Sequence, residues 1–245
     1  MLIFLGDIHG NFNNLKWQIE TNKITDATII QVGDFGIGFT NENNDNKLLE
    51  DLNIFLKDNN ILLYAIRGNH DNPKYFLGNH ILSNLKLMPD YSVIKVNDLN
   101  MLLVGGAISV DRMPRIVEND AYIEVGDLRR KWWEDEVFVY NEENKKFIDS
   151  LRGIDIIVTH TAPSKCNPDN SLGFHRIVER FALTDNKLKG ELISERKLMD
   201  EMFSDLLKNN DIKYHFYGHF HFHNIDSFGR CVHILLDINE LYELR

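Results

Sequence analysis

The chain has 245 residues, 43% of them apolar, and a formal net charge of −10. That length and composition suit one α/β domain with a real core, and the acidic balance speaks against broad electrostatic capture of nucleic acid, which relies on basic patches. No apolar run nears the roughly 18 residues a membrane helix needs, and two cysteines, Cys166 and Cys231, are too few for a disulfide framework.

The opening MLIFLGDIHG has no basic stretch before its short apolar run, so a cytoplasmic location without a secretory leader is expected. Residues 2–5 (LIFL) form an apolar strand that runs into Gly-Asp. Asn11 to Thr21, with Phe12, Leu15, Trp17 and Ile19, predicts an amphipathic helix. Residues 27–32 (ATIIQV) make a second strand, again ending in Gly-Asp. An Asn-rich loop at 41–46 and a helix over 47–58 follow, then a third apolar strand at 61–66 that ends at Arg67-Gly68-Asn69-His70. Apolar strands alternating with helices predict a sheet covered on both faces.

The middle of the chain reads differently. Residues 86–88, 92–96 and 101–104 are short strands in a meander or hairpin. Residues 105–131 show no clear period and are expected to be a long loop. Trp132 to Leu151 is expected to be helical. A buried strand at 154–159 ends at His160, and polar, mostly helical sequence follows over 164–211, with helices at 175–182 and 188–208. Strands at 213–217, 225–228 and 232–236 complete the pattern. The expected organisation is a single domain over 1–245, with a helical insertion at about 164–211 forming a flap.

The chemistry lies at the strand ends. Five apolar strands each run into a polar motif: Gly6-Asp7-Ile8-His9, Gly33-Asp34, Gly68-Asn69-His70, His160, and Gly218-His219-Phe220-His221. Ligands of α/β sheets bind outside the carboxyl ends of the strands, so strand ends of one sheet would gather these Asp, Asn and His side chains around one point. Carboxylate and amide oxygens mixed with imidazole nitrogens suit divalent first-row ions such as Mn, Fe, Ni or Zn. The lack of cysteine in the set argues against a structural zinc or an iron–sulfur cluster. Two ions bridged by one carboxylate would clamp a phosphate and lower the pKa of a bridging water until it is a hydroxide nucleophile.

The ordered set D-x-H, G-D, G-N-H-D, H and G-H-x-H, spanning Asp7 to His221, resembles the calcineurin-like metallophosphoesterase superfamily. The resemblance implies a four-layer α/β/β/α sandwich of mixed sheets flanked by helices, a hydrolase of phosphate esters, and two divalent metal ions, with Mn2+ the first choice. It places Asp7, His9 and His221 on the first ion, Asn69, His160 and His219 on the second, and Asp34 between them. His70 would stand near the phosphate and protonate the leaving oxygen, with Asp71 orienting it. The opening GDIHGN also resembles the phosphoprotein-phosphatase branch, yet Asp34 is followed by Phe-Gly-Ile-Gly-Phe where that branch has Asp-Arg-Gly. The missing arginine leaves Arg112 and Arg115 as the expected phosphate grips, because a guanidinium matches phosphate bidentately.

A small phosphodiester or nucleotide-type substrate is therefore expected, with a Ser/Thr-type protein phosphatase, a nuclease or a non-catalytic scaffold of the same fold as alternatives. Arg67 stands evenly between surface charge and substrate contact. Trp132-Trp133 either packs into a core or stacks a base. His80, His175, His215, His223 and His233 are read as structural or solvated.

Overall fold

The computed structural model describes residues 1–80, 82–127, 129–166 and 172–244. Residue 128 of the expected loop and residues 167–171 of the expected insertion lie outside the described residues.

Among the described residues the strands form two sheets. The first begins with β1 (Leu2–Leu5), followed by helix α1 (Phe12–Thr21), β2 (Ala27–Gln31), helix α2 (Glu42–Asp58), β3 (Ile61–Ala65) and β4 (Leu85–Leu87). These four strands run parallel. The second sheet begins with the hairpin β5 (Ser92–Val96) and β6 (Leu99–Val104). Helices α3 (Arg112–Glu124) and α4 (Glu142–Ser150), β7 (Ile156–Thr159), helices α5 (Leu172–Ala182) and α6 (Leu188–Leu207), β8 (Tyr214–Tyr217), β9 (Asn224–Phe228) and β10 (Cys231–Leu235) follow. β6, β7, β8 and β10 are parallel, flanked by antiparallel β5 and β9. A last strand, β11 (Leu241–Glu243), returns to pair antiparallel with β1.

Strand alternation sorts the side chains into layers. Ile3 and Leu5 face Phe12, Leu15 and Ile19 of α1 and Leu49, Leu52 and Leu56 of α2. Leu2 and Phe4 face the other way, against Met101, Leu103, Ile156, Val158 and Phe216 of the second sheet. Ile157 and Leu102 point outward onto Ile148 of α4 and Met199, Met202 and Phe203 of α6. Helix, sheet, sheet, helix is the four-layer arrangement expected. Phe4 and Phe216 stack across the two sheets with ring centroids 3.5 Å apart and planes 4° from parallel. Phe4 precedes Asp7 by three residues and Phe216 precedes His219 by three, so this stack ties together the strands that carry them.

Several expectations are corrected. The strand at 85–87 is not part of a meander: it extends the first sheet beside β3, and only 92–96 and 99–104 form the hairpin. The Asn-rich stretch is the first turn of α2, with Asn41 as its N-cap accepting the Asn44 N–H at 3.0 Å. Residues 112–124 are helix α3 rather than loop. The buried residue of α3 is Asn119, whose side-chain amide donates to Trp132 O and accepts from Lys131 N, so the helix is anchored by polar contacts rather than by a buried apolar stripe. The helix expected from Trp132 is confined to 142–150. The carbonyls of Asp135, Glu136 and Val137 are instead taken by the buried Arg67 guanidinium, which also binds Asp90 at 2.7 and 2.9 Å. Arg67 is thus a buried structural clamp.

Among the described residues, no helix is long and apolar enough to cross a membrane.

Candidate active site

The five strand-end motifs come from both sheets rather than one. β1, β2 and β3 deliver Asp7, Asp34 and Asn69; β7 and β8 deliver His160 and His219, with His221 just beyond. Four of the gathered residues take left-handed backbone: His9 at φ 49°, Asp34 at 53°, His219 at 73° and His221 at 58°. Non-glycine residues rarely adopt this region, and such strain concentrates at functional sites. Gly68 has no Cβ where one would overlap the Asp34 side chain and the His160 ring, so its identity lets these two meet.

On one side, Asp7, His9, Asp34 and His221 each place a ligating atom within 4.8 Å of the others. His9 Nε2 lies 3.1 Å from His221 Nε2 and 3.8 Å from Asp34 Oδ2; His221 Nε2 lies 3.3 Å from Asp7 Oδ2. On the other side, His160 Nε2 lies 3.2 Å from Asp34 Oδ1 and 3.1 Å from Asn69 Oδ1, and the His219 ring stands edge-on to it, with centroids 5.1 Å apart. Asp34 thus addresses both halves. Its Oδ1 accepts the His70 N–H at 2.7 Å, while its buried Oδ2 has no hydrogen-bond partner. A buried carboxylate oxygen without a donor is costly, and a cation placed toward His9 would relieve it. The donor set therefore fits a pair of divalent ions sharing Asp34. Burial works to raise the Asp34 carboxyl, but His160 and His70 overcome it and hold the group well below the usual carboxylate range.

The supports behind these ligands were not visible as motifs. His160 Nδ1 bonds the Val32 carbonyl at 2.9 Å, which fixes that nitrogen as the N–H and leaves Nε2 a lone pair for the cluster. Asn69 Nδ2 donates to Ser109 Oγ at 2.9 Å, and Ser109 donates in turn to Glu136 at 2.9 Å. Burial pushes Glu136 up to about 8, against the two Ser109 donors. Asp7 accepts the His219 N–H at 3.0 Å, tying the first motif to the last.

Asp71 does not take the orienting position expected of it. Its buried carboxylate accepts the N–H groups of Phe35, Gly36, Ile37 and Gly68 at 2.6–3.2 Å, so it shapes the loops carrying Asp34 and Asn69. Burial and the Asp34 charge push it up to about 7, against those donors. His70 is met instead by Arg115, whose guanidinium lies 2.6 Å from Nε2 and 3.2 Å from Nδ1. Burial pushes the imidazole down to about 4, and the guanidinium charge acts in the same direction, against Asp34.

Arg115 faces the cluster, but Arg112 does not. Arg112 is paired with Asp185 at 2.6 Å and with Glu191, in an ion pair that ties α3 to the start of α6. Its donors are committed there, which corrects the expectation that it grips phosphate.

A cavity of about 620 Å³ opens over Asp34, Asn69, His70, His219 and His221. Arg115 and Asp111 form its polar side, and Phe174, Ile177, Phe181, Phe220 and Phe222 form an apolar wall. α5 contributes three of these five residues. Trp132 and Trp133 do not line the cavity; Trp133 packs edge-on against Phe39 at 5.2 Å. Of the other histidines, His223 pairs with Glu240 at 2.7 Å and His175 with Glu179 at 3.8 Å, while His80 packs against Tyr75.

The profile of the calcineurin-like phosphoesterases matches residues 1–223. The chain belongs to this family, and its class of reaction is hydrolysis of a phosphate-ester bond. No curated protein matches it. Among solved structures it is similar to the phosphopantetheinyl hydrolase PptH from Mycobacterium tuberculosis, at 12% identity and a TM-score of 0.48 over 97% of this chain and 89% of that one. It is similar to GAP50, the anchor in the inner membrane complex of Plasmodium, at 14% identity and a TM-score of 0.42 over 96% and 71%. A putative 5'-nucleotidase from Staphylococcus aureus gives 14% identity and a TM-score of 0.44, over 97% of this chain but 48% of that one.

Proposed function

We propose that the chain is a dinuclear phosphoesterase acting on a small phosphodiester or nucleotide-type ester. The observation that carries this reading is Asp34, flanked by two sets of ligating atoms and holding one buried oxygen without a protein donor. Asp7, His9 and His221 would hold one ion, Asn69, His160 and His219 the other, and Asp34 both, with Mn2+ the first choice among divalent ions. Such ions polarise phosphoryl oxygens and lower the pKa of water.

The protein's own groups supply the rest. Arg115 is the cation that faces the cluster from α3, and a phosphate oxygen is a stronger acceptor for it than a neutral imidazole. When substrate arrives, the guanidinium turns from His70 to the phosphate. His70 Nε2 is then free to meet the leaving oxygen. The Phe174, Phe181, Phe220 and Phe222 wall seats the organic part of the ester and excludes water. A folded phosphoprotein needs an open groove, and the α5 wall favours a small molecule.

The test is metal analysis of protein reloaded with Mn2+, joined to turnover of a chromogenic diester, a nucleotide and a phosphoserine protein. Two ions per chain with turnover of the small esters are expected. One ion or none would overturn the dinuclear assignment, and efficient turnover of the phosphoprotein alone would overturn the substrate class.

A further inference from the structure

A second group of ligating side chains lies apart from this site. His215 on β8 and His233 on β10 are paired in register, so both imidazoles project from the same face of the sheet. Cys166, in the segment after β7, closes the group. All three residues are buried, and each places a ligating atom within 4.8 Å of the other two. Imidazoles at two neighbouring positions of a buried sheet face are costly unless both are satisfied.

The hydrogen bonds around them fix which nitrogen is available. Thr159 Oγ1 donates its proton to Thr161 O at 2.5 Å, so its 2.7 Å contact with His215 Nε2 requires the imidazole to be the donor. Neutral His215 is left with a lone pair on Nδ1, and that atom lies 3.0 Å from His233 Nδ1. Tyr217 OH donates to the Cys166 carbonyl at 2.9 Å and stacks on the His215 ring, which pins the segment carrying the thiol beside the pair. Cys166 and His233 also line a cavity of about 750 Å³, through which an ion could reach them.

We propose that Cys166, His215 and His233 form a metal site for a borderline-soft divalent ion, with Zn2+ the best match, separate from the phosphoesterase cluster. Two imidazoles and a thiolate are a donor set that selects such ions over Mn2+ or Mg2+. Burial pushes the Cys166 thiol up to about 12, so an entering ion must displace that proton to solvent as the metal–sulfur bond forms. His233 gives up Nδ1 to the ion and carries its proton on Nε2 instead. The bound ion would tie the segment after β7 to β8 and β10, the strands whose ends surround His219.

The discriminating signal is sulfur. The phosphoesterase cluster contains no cysteine, so a thiolate-to-Co2+ charge-transfer band in metal-stripped protein titrated with Co2+ reports on Cys166 or Cys231 alone. The band is expected in wild type, in Cys231→Ser and in Asp34→Asn, and it is lost in Cys166→Ser. Zn2+ content should fall by one ion per chain in Cys166→Ser and in His233→Gln relative to wild type. A folded wild type with no thiolate band overturns the site, as does a band that is lost in Cys231→Ser. If Cys166→Ser fails to fold, wild type and Cys231→Ser still decide the question. Asp34→Asn weakens the other ions and leaves both cysteines in place, so failure of the dinuclear reading leaves the thiolate band intact, whereas failure of this one abolishes it.

Discussion

Ser109 Oγ accepts the Asn69 amide N–H at 2.9 Å and donates its own proton to Glu136, so the hydroxyl decides which way the Asn69 amide points. With Nδ2 held by Ser109, Oδ1 must face His160 and the cluster. Ser109→Ala removes that restraint and leaves buried polar groups unpaired. The variant should lose about 1–3 kcal/mol of stability and about 10–100-fold in affinity for the ion on the Asn69 side. Calorimetric Mn2+ titration checks this: two equally weakened sites, or none weakened, would refute the orienting role.

Asp34→Asn should weaken both ions at once and abolish nearly all turnover, because one carboxylate serves both sides. Asp7→Asn should damage mainly the ion shared with His9 and His221. Metal analysis after Mn2+ reloading separates the two outcomes. Equal loss of both ions in Asp7→Asn would sink the division of ligands.

His70→Asn should slow hydrolysis of an alkyl or nucleoside ester by about 10²–10⁴-fold, the usual contribution of a positioned proton donor. A p-nitrophenyl ester, whose leaving group needs no proton, should be spared most of that loss. Metal content should stay unchanged. Equal losses on both substrates would leave His70 a positioning residue only.

The two arginines of α3 should separate cleanly. Arg115→Ala is expected to raise KM for the phosphate ester with the metals still bound. Arg112→Ala is expected to leave KM alone and to cost about 1–3 kcal/mol, because buried Asp185 loses its partner. A KM effect at Arg112 with unchanged Tm would reverse this assignment.

Asp205 offers a test of stability away from the site. Its carboxylate is held down to about 2, chiefly by Lys208 and then by the Tyr140 hydroxyl. A carboxyl whose folded pKa lies below its unfolded value of about 3.9 stabilises the fold above that value and loses the contribution as pH falls through the folded pKa. Wild type should therefore lose stability relative to Asp205→Asn between about pH 4 and pH 2. Urea midpoints of the two proteins across that range should converge; parallel curves would exclude the linkage.

The parts of the site that could be read in the sequence were those with local signatures. Each strand end couples an apolar run to Gly-Asp, Gly-Asn-His or Gly-His, and backbone geometry alone brings such ends together. The supports were harder to read because they are single residues at long range. Ser109 lies in sequence without periodicity and Glu136 in a stretch that reads as helix, yet they fix Asn69 from 40 and 67 positions away. Asp71 follows His70 directly, but adjacency along the chain does not make contact: its carboxylate turns back to four backbone N–H groups. Helix α3 has no local signature because its anchor is Asn119, and Arg67 stands between surface charge and substrate contact in the sequence because a buried guanidinium that bonds backbone carbonyls has no pattern of its own.

The pairing of His9 with His221 spans 212 positions. One half of the cluster therefore cannot exist until nearly the whole chain has been assembled, because its members come from both extremities and from the strands between. Closing so long a loop is slow and belongs late in folding. Asp7 is further tied to the closing segment, where Asn239 N–H bonds its carbonyl at 2.8 Å just before β11. A nascent or clipped chain that lacks the closing segment thus lacks the His9–His221 side of the centre, while Asp34, Asn69 and His160 can still meet, and release of an ion held on the His9–His221 side would report the parting of those two segments.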